Sequence, residues 1–213
     1  MIQDLDDTLK ALLVREARLE PGEVDIKFDM PSPDWSGRLS RPTVNLYLYD
    51  VRENLELRSN DLYLTRNEER TAGTQRRAPT RVDLSYMISV WAEFISDEHR
   101  LLGQILTALL SHPLLPDDVL MGAMRNQPFP VRAWIAQPER IPNAWDFWGH
   151  VEHRMKSGLS YVVTASFEPF EAEEVRLVTE RQVNLKQGAV RPPRPANPEP
   201  ADLSQSASFS KSV

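Results

Sequence analysis

The stretch T-R-V-D-L-S-Y-M-I-S-V-W-A-E-F, Thr80 to Phe94, runs directly into I-S-D-E-H-R-L-L-G-Q-I-L-T-A-L-L-S-H-P, Ile95 to Pro113, and the two halves have different periods. In the first, Val82, Leu84, Tyr86, Ile88, Val90 and Ala92 alternate with Asp83, Ser85, Met87, Ser89 and Trp91. Side chains of a pleated backbone point alternately to opposite faces, so Val82–Phe94 is predicted to be a strand with one apolar and one mixed face. In the second, Leu101, Leu102, Ile105, Leu106, Leu109 and Leu110 recur at helical spacing. They form the buried stripe of a helix over Asp97–His112, with Ser96 or Asp97 as the expected N-cap and Pro113 as the stop. A central strand with a helix laid on its apolar side is the nucleus of a layered α/β domain.

Upstream, T-V-N-L-Y-L-Y-D-V at Thr43–Val51 sets Val44, Leu46 and Leu48 against Asn45, Tyr47 and Tyr49, and its β-branched and aromatic content marks a strand. Val24–Met30 alternates in the same way, and Pro31–Gly37 is expected to be a loop. Leu5, Leu9, Leu12 and Leu13 predict an amphipathic opening helix from Ile2 to about Leu19, with Asp4, Asp6 and Asp7 at the positive end of its dipole. Downstream, Leu114–Ala123 reads as a second short helix. Val131–Ala136 reads as a strand confined by Pro130 and Pro138, Asn143–Met155 as a helix carrying Trp145, Phe147, Trp148 and Val151, and Leu159–Phe167 as a further strand.

Between these elements, Arg52–Pro79 is polar and charged. A connection this long reads as a mobile insertion that orders only against a partner. Val175, Leu177, Thr179, Arg181, Val183 and Leu185 alternate without one strong core face and predict an extended arm. Beyond Lys186 the chain is rich in proline and then serine, a composition expected to stay disordered with polyproline-like stretches. The expected architecture is a mixed central sheet flanked by helices over residues 1–170 with the polar insertion 52–79, an arm over 171–186 and a tail over 187–213.

A chain of 213 residues can bury roughly 70% of its extended-chain surface, so no metal or crosslink is needed for a core. It contains no cysteine, which excludes disulfides, thiolate ligands and a cysteine nucleophile. The acidic opening M-I-Q-D-L-D-D-T-L-K is not that of a secretory leader, and no apolar run approaches the roughly 20 residues that span a bilayer. A soluble, cytoplasmic protein without membrane contact is therefore expected. A net charge of -6 argues against a nucleic-acid surface.

Candidate chemistry is sparse. His150 and His153 in H-V-E-H lack the spacing and adjacent glutamate of a metalloprotease helix, and no metal is expected. His99 and His112 flank one helix as caps or solvated residues. The pairs Asp6 with Asp7 and Asp117 with Asp118 are explained by helix-end electrostatics better than by acid–base work, and Glu173 with Glu174 point apart. Glycines stand alone, with no phosphate-cradling loop and no nucleophile elbow. Trp145, Trp148 and His150 are the residues around which a small-ligand site or an active site would be built, although core packing explains the tryptophans better. No cofactor is called for. A third possibility is an adaptor working through its proline-rich tail.

Five phrases carry a resemblance: P-T-V-N-L-Y-L-Y-D-V-R-E-N at Pro42–Asn54, R-V-D-L-S-Y-M-I-S-V-W-A at Arg81–Ala92, E-H-R-L-L-G-Q-I-L at Glu98–Leu106, H-P-L-L-P at His112–Pro116 and L-S-Y-V-V-T at Leu159–Thr164. Together they resemble the cap, or tail-terminator, proteins of contractile phage-tail-like injection systems. The resemblance implies a non-enzymatic α/β domain assembled as a homo-hexameric ring. The ring would sit on the end of the inner tube protein and the sheath protein, away from the baseplate, in a particle put together in the cytoplasm. A polymer end exposes open strand edges, and a cap can stop growth by satisfying them. The arm residues Val175, Leu177, Val183 and Leu185 are expected to add a strand to sheath or to a neighbouring subunit. Arg66, Arg70, Arg76 and Arg77 make the insertion the other candidate contact.

Overall fold

Long apolar alternation produces long strands. β2 (Thr43–Glu53) and β5 (Thr80–Trp91) pair antiparallel over nearly their whole lengths, and β7 (Gly158–Phe167) takes the other side of β5. With the edge strands β1 (Asp25–Lys27) and β6 (Arg132–Ile135) they make a five-stranded sheet of order β1-β2-β5-β7-β6, in which only the β1 to β2 pairing is parallel. A second sheet holds β3 (Leu62–Arg66), β4 (Ala72–Arg77) and β8 (Glu173–Arg176), all antiparallel. The computed structural model describes residues 1–66, 72–137, 148–149 and 156–176, and Met1–Leu177 form one compact unit.

One face of the main sheet carries the core. Val44, Leu46, Leu84, Tyr86, Ile88, Val90, Tyr161, Val163 and Ala165 are buried there against α1 (Ile2–Glu16) and α3 (Ile95–Leu110). Leu5, Leu9, Leu12 and Leu13 supply the stripe of α1, and Leu101, Ile105, Ala108 and Leu109 that of α3. At roughly 25 cal/mol per Å² of apolar area removed from water, this layer is the main source of folding free energy. The other face is built differently, with small polar side chains, Asn45, Ser85, Ser89, Ser160, Thr164 and Ser166, buried beside an aromatic cluster.

The β2 to β5 register slips between Leu48 and Asp50, a bulge that leaves Tyr49 outside the pairing. In addition, Tyr86 donates its hydroxyl hydrogen to Asp6 Oδ1 at 2.8 Å, tying α1 to the central strand. Burial pushes the Asp6 carboxyl above its ordinary range, more than the Tyr86 hydrogen bond lowers it. A carboxyl whose folded value is raised gives full stability below the unfolded value, and that contribution fades as pH rises through the folded one. Asp6→Asn, which keeps an acceptor for Tyr86, is therefore expected to raise the melting temperature at neutral pH. The gain should vanish at acid pH, as thermal melts of the two proteins across that range would read.

Several sequence-based expectations are corrected. The central strand ends at Trp91 and α3 starts at Ile95, with no side-chain cap from Ser96 or Asp97; Glu98 instead accepts from the Ala92 amide at 3.2 Å. α1 ends at Glu16, short of the expected Leu19, because Ala17 caps it and Arg18 turns left-handed at a φ of 52°. The Pro31–Gly37 loop contains α2 (Pro33–Ser36), since Ser32 accepts from Trp35 N at 3.2 Å and proline at the first helical position needs no N–H partner. β1 is short because the Asn45 amide, not the backbone, pairs with Asp29 N and O at 3.1 and 2.9 Å. Leu114–Ala123 is not a helix: Leu114 bridges Arg132 and Leu115 N donates to Val131 O at 2.9 Å, engaging backbone a helix would need. Within the segment expected to order only against a partner, the described residues 52–66 and 72–79 are structured by this chain itself, as a turn at Leu55–Leu57 and the β3 to β4 ladder. Of the expected helix at Asn143–Met155, Trp148 and Gly149 are described and helical; the rest lies outside the described residues, as does the tail.

Candidate interaction surface

Three of the phrases singled out in the sequence converge at one point of the polar face. Asn54, which ends the first, follows β2; Asp83 lies on β5; Thr164, which ends the last, lies on β7 directly opposite Asp83. Asn54 Nδ2 donates to both Asp83 oxygens at 3.1 and 3.0 Å, and the Thr164 hydroxyl donates to Asp83 Oδ1. Asn54 also accepts from Leu57 N at 3.1 Å, capping the turn that leads to β3. The network thus fixes where the chain leaves the main sheet for the small one.

Beside it stands Arg81, 8% exposed, its guanidinium carbon 4.8 Å above the centre of the Phe129 ring. Arg132 of β6 and Trp134 line the same recess, which measures about 470 Å³. Burial, then the repulsion of Arg132, hold the Arg81 pKa below its usual range, partly opposed by Asp83. Arg81 and Asp83 were not picked out as functional residues from the sequence. The available signal was two charges inside an otherwise apolar central strand.

The small sheet presents the other feature. Among the described residues β3 pairs only with β4 and no strand covers its outer edge, along which Leu62, Tyr63 and Leu64 are exposed. Such an edge is a template for another strand. Of the predicted contact residues, Arg66 is exposed on β3, and Arg76 and Arg77 are exposed on β4, with the Arg77 guanidinium 4.7 Å over the Phe170 ring. Val175 lies in β8 opposite Gly73, so the start of the arm is already a strand of its own chain's sheet. Arg70, Leu177, Val183 and Leu185 lie outside the described residues.

Other candidates acquire structural roles. Trp148 is buried, packed with Met87 against Tyr47, Tyr49 and Trp91, which leaves it no ring face for a ligand. His112 closes α3 through Nδ1 and Ala108 O at 2.8 Å, with Nε2 3.5 Å from Glu16, and His99 is exposed. Asp118 pairs with Arg15 at 2.5 Å and sits at no helix start, which corrects the helix-end explanation for that pair. Trp145, His150 and His153 lie outside the described residues. Among the described residues no cluster of acidic and histidine side chains could hold a metal ion, and no helix is long and apolar enough to cross a membrane.

The fold is shared with two solved caps. The sheath/tube terminator of an extracellular contractile injection system, in its extended state, superposes with a TM-score of 0.66 at 22% identity, over 89% of this chain and 64% of that one. The tube-terminating cap of the anti-feeding prophage superposes with a TM-score of 0.62 at 20% identity, over 87% of this chain and 61% of that one. The chain belongs to the Pvc16 N-terminal domain family, which matches residues 4–181. It spans less than two thirds of each of these solved chains. No curated protein matches it.

Proposed function

We propose that this chain is a structural cap that ends the inner tube and sheath of a contractile injection system. The observation that carries the reading is the fold shared with two terminators together with membership of the family. The open edge of β3 and the arm that continues from β8 supply a physical means. A growing tube or sheath ends in unpaired strands, and a subunit that offers both an acceptor edge and a donor strand satisfies them. Six copies in a homo-hexameric ring would match a six-fold tube, each subunit meeting the next through a heterologous interface. Its partners would be the inner tube protein and the sheath protein, and assembly would take place in the cytoplasm, with no bond-making chemistry in this chain.

Deleting the chain in cells that make such particles is expected to give tubes and sheaths of unregulated length by electron microscopy. The full chain should restore a uniform length, and a version ending before β8, at Ala172, should not. Uniform particles without the chain, or its distribution along the shaft, would overturn the reading. Restoration by the shortened version would overturn the arm's part in it.

A further inference from the structure

We infer that the recess beside Arg81 receives a carboxylate carried on an extended segment of a partner polypeptide. Arg81 is 92% withdrawn from solvent, since only 8% of it is exposed, yet among the described residues no carboxylate lies within ion-pair distance of it. Its Nε is buried without a hydrogen-bond partner. Asp83, two residues along the same strand, is engaged by Asn54 and Thr164. A charge withdrawn from water and left unpaired is unfavourable; a second cation, Arg132, shares the recess, and Glu56, the carboxylate that also lines it, makes no ion pair with either arginine among the described residues. Burial and Arg132 both act against the charged form of Arg81. An incoming carboxylate relieves both effects, and the planar fork of a guanidinium is shaped to hold one.

The extent of the depression favours a polypeptide over a small anion. The recess shares Tyr63, Ala78, Pro79 and Phe129 with a second groove of about 500 Å³ that reaches Phe170 and Arg77. A free phosphate or acetate would occupy one end of this trough. An extended segment can follow it, with the open edge of β3, which carries Tyr63, beside it. The inference goes beyond capping, and its test reads the recess alone.

The test uses the full chain and the Arg81 Nε–H resonance in nitrogen–proton correlation spectra. The probes are a short blocked peptide alternating valine and glutamate, its glutamine analogue, and sodium phosphate. The glutamate peptide is expected to shift the Arg81 signal saturably and to bind at least about tenfold more tightly than the glutamine analogue. In Arg81→Met the peptide-induced shifts of neighbouring amides should disappear while the melting temperature rises, because an unpaired buried charge has been replaced by an apolar chain of similar length. Arg81→Lys, which keeps the charge without the fork, should weaken binding and serves if the methionine variant does not fold. Equal binding of both peptides, no saturable shift, unchanged binding in Arg81→Met, or phosphate binding more tightly than the peptide would each overturn the inference.

Discussion

Trp148→Ala is expected to cost about 3–5 kcal/mol, a large share of the stability of a domain this size. Trp148 is 2% exposed and is the anchor of the aromatic layer on the polar face of the sheet. It meets Trp91 edge-on, with ring centres 6.4 Å apart at 66°, and Trp91 in turn meets Trp35 at 5.6 Å and 84°. Truncation removes the largest buried side chain and leaves Met87 and the flanking tyrosines around a cavity lined partly by hydroxyl-bearing strands, which cannot collapse without disturbing the ladder. Urea unfolding should show the loss in the midpoint, with the melting temperature lower by on the order of 10 °C. A loss below about 1 kcal/mol would show that the layer is dispensable and would reopen a ligand role for this tryptophan.

Asp83→Ala should be nearly as damaging, at about 2–4 kcal/mol, for an electrostatic reason. Asp83 accepts from Asn54 and Thr164, both almost wholly buried, and truncation leaves the amide and the hydroxyl without their acceptor. It also removes the one charge that favours the ionised form of Arg81, leaving that guanidinium facing Arg132. Asp83→Asn, which keeps an acceptor oxygen, should lose less. Adding Arg81→Met to Asp83→Ala should recover part of the loss, because the two penalties share a partner, and a double-mutant cycle by urea unfolding would measure that coupling. Additive losses would mean that Arg81 and Asp83 do not interact.

The sequence was legible where one period ran long. The alternation from Val82 to Val90 and the leucine spacing of α1 and α3 placed the core face, the central strand and both packing helices. It was less legible where side chains substitute for backbone. Asn45 continues the β1 ladder, Ser32 starts a helix from a proline-rich loop, and Asn54 caps a turn; composition alone does not distinguish these uses. The hairpin β3 to β4 was hidden because β3 is exposed throughout and β4 is half-buried or exposed at all but Gly73, so that no alternating burial pattern marks it. The surface at Arg81 was hidden for a related reason. Its lining comes from the turn after β2 and from β3, β5 and β6, and only the fold brings them together.

The slip at Tyr49 has a consequence for that gathering. Ahead of it the even-numbered residues of β2, Val44, Leu46 and Leu48, look toward the helices; beyond it the pairing of Val51 with Leu84 hands that direction to odd numbers. Asn54 therefore arrives on the side of Asp83, where an unbroken alternation would have turned it away. A single surplus residue thus inverts the parity of the strand halfway along, and the polar junction between the two sheets is assembled by that inversion.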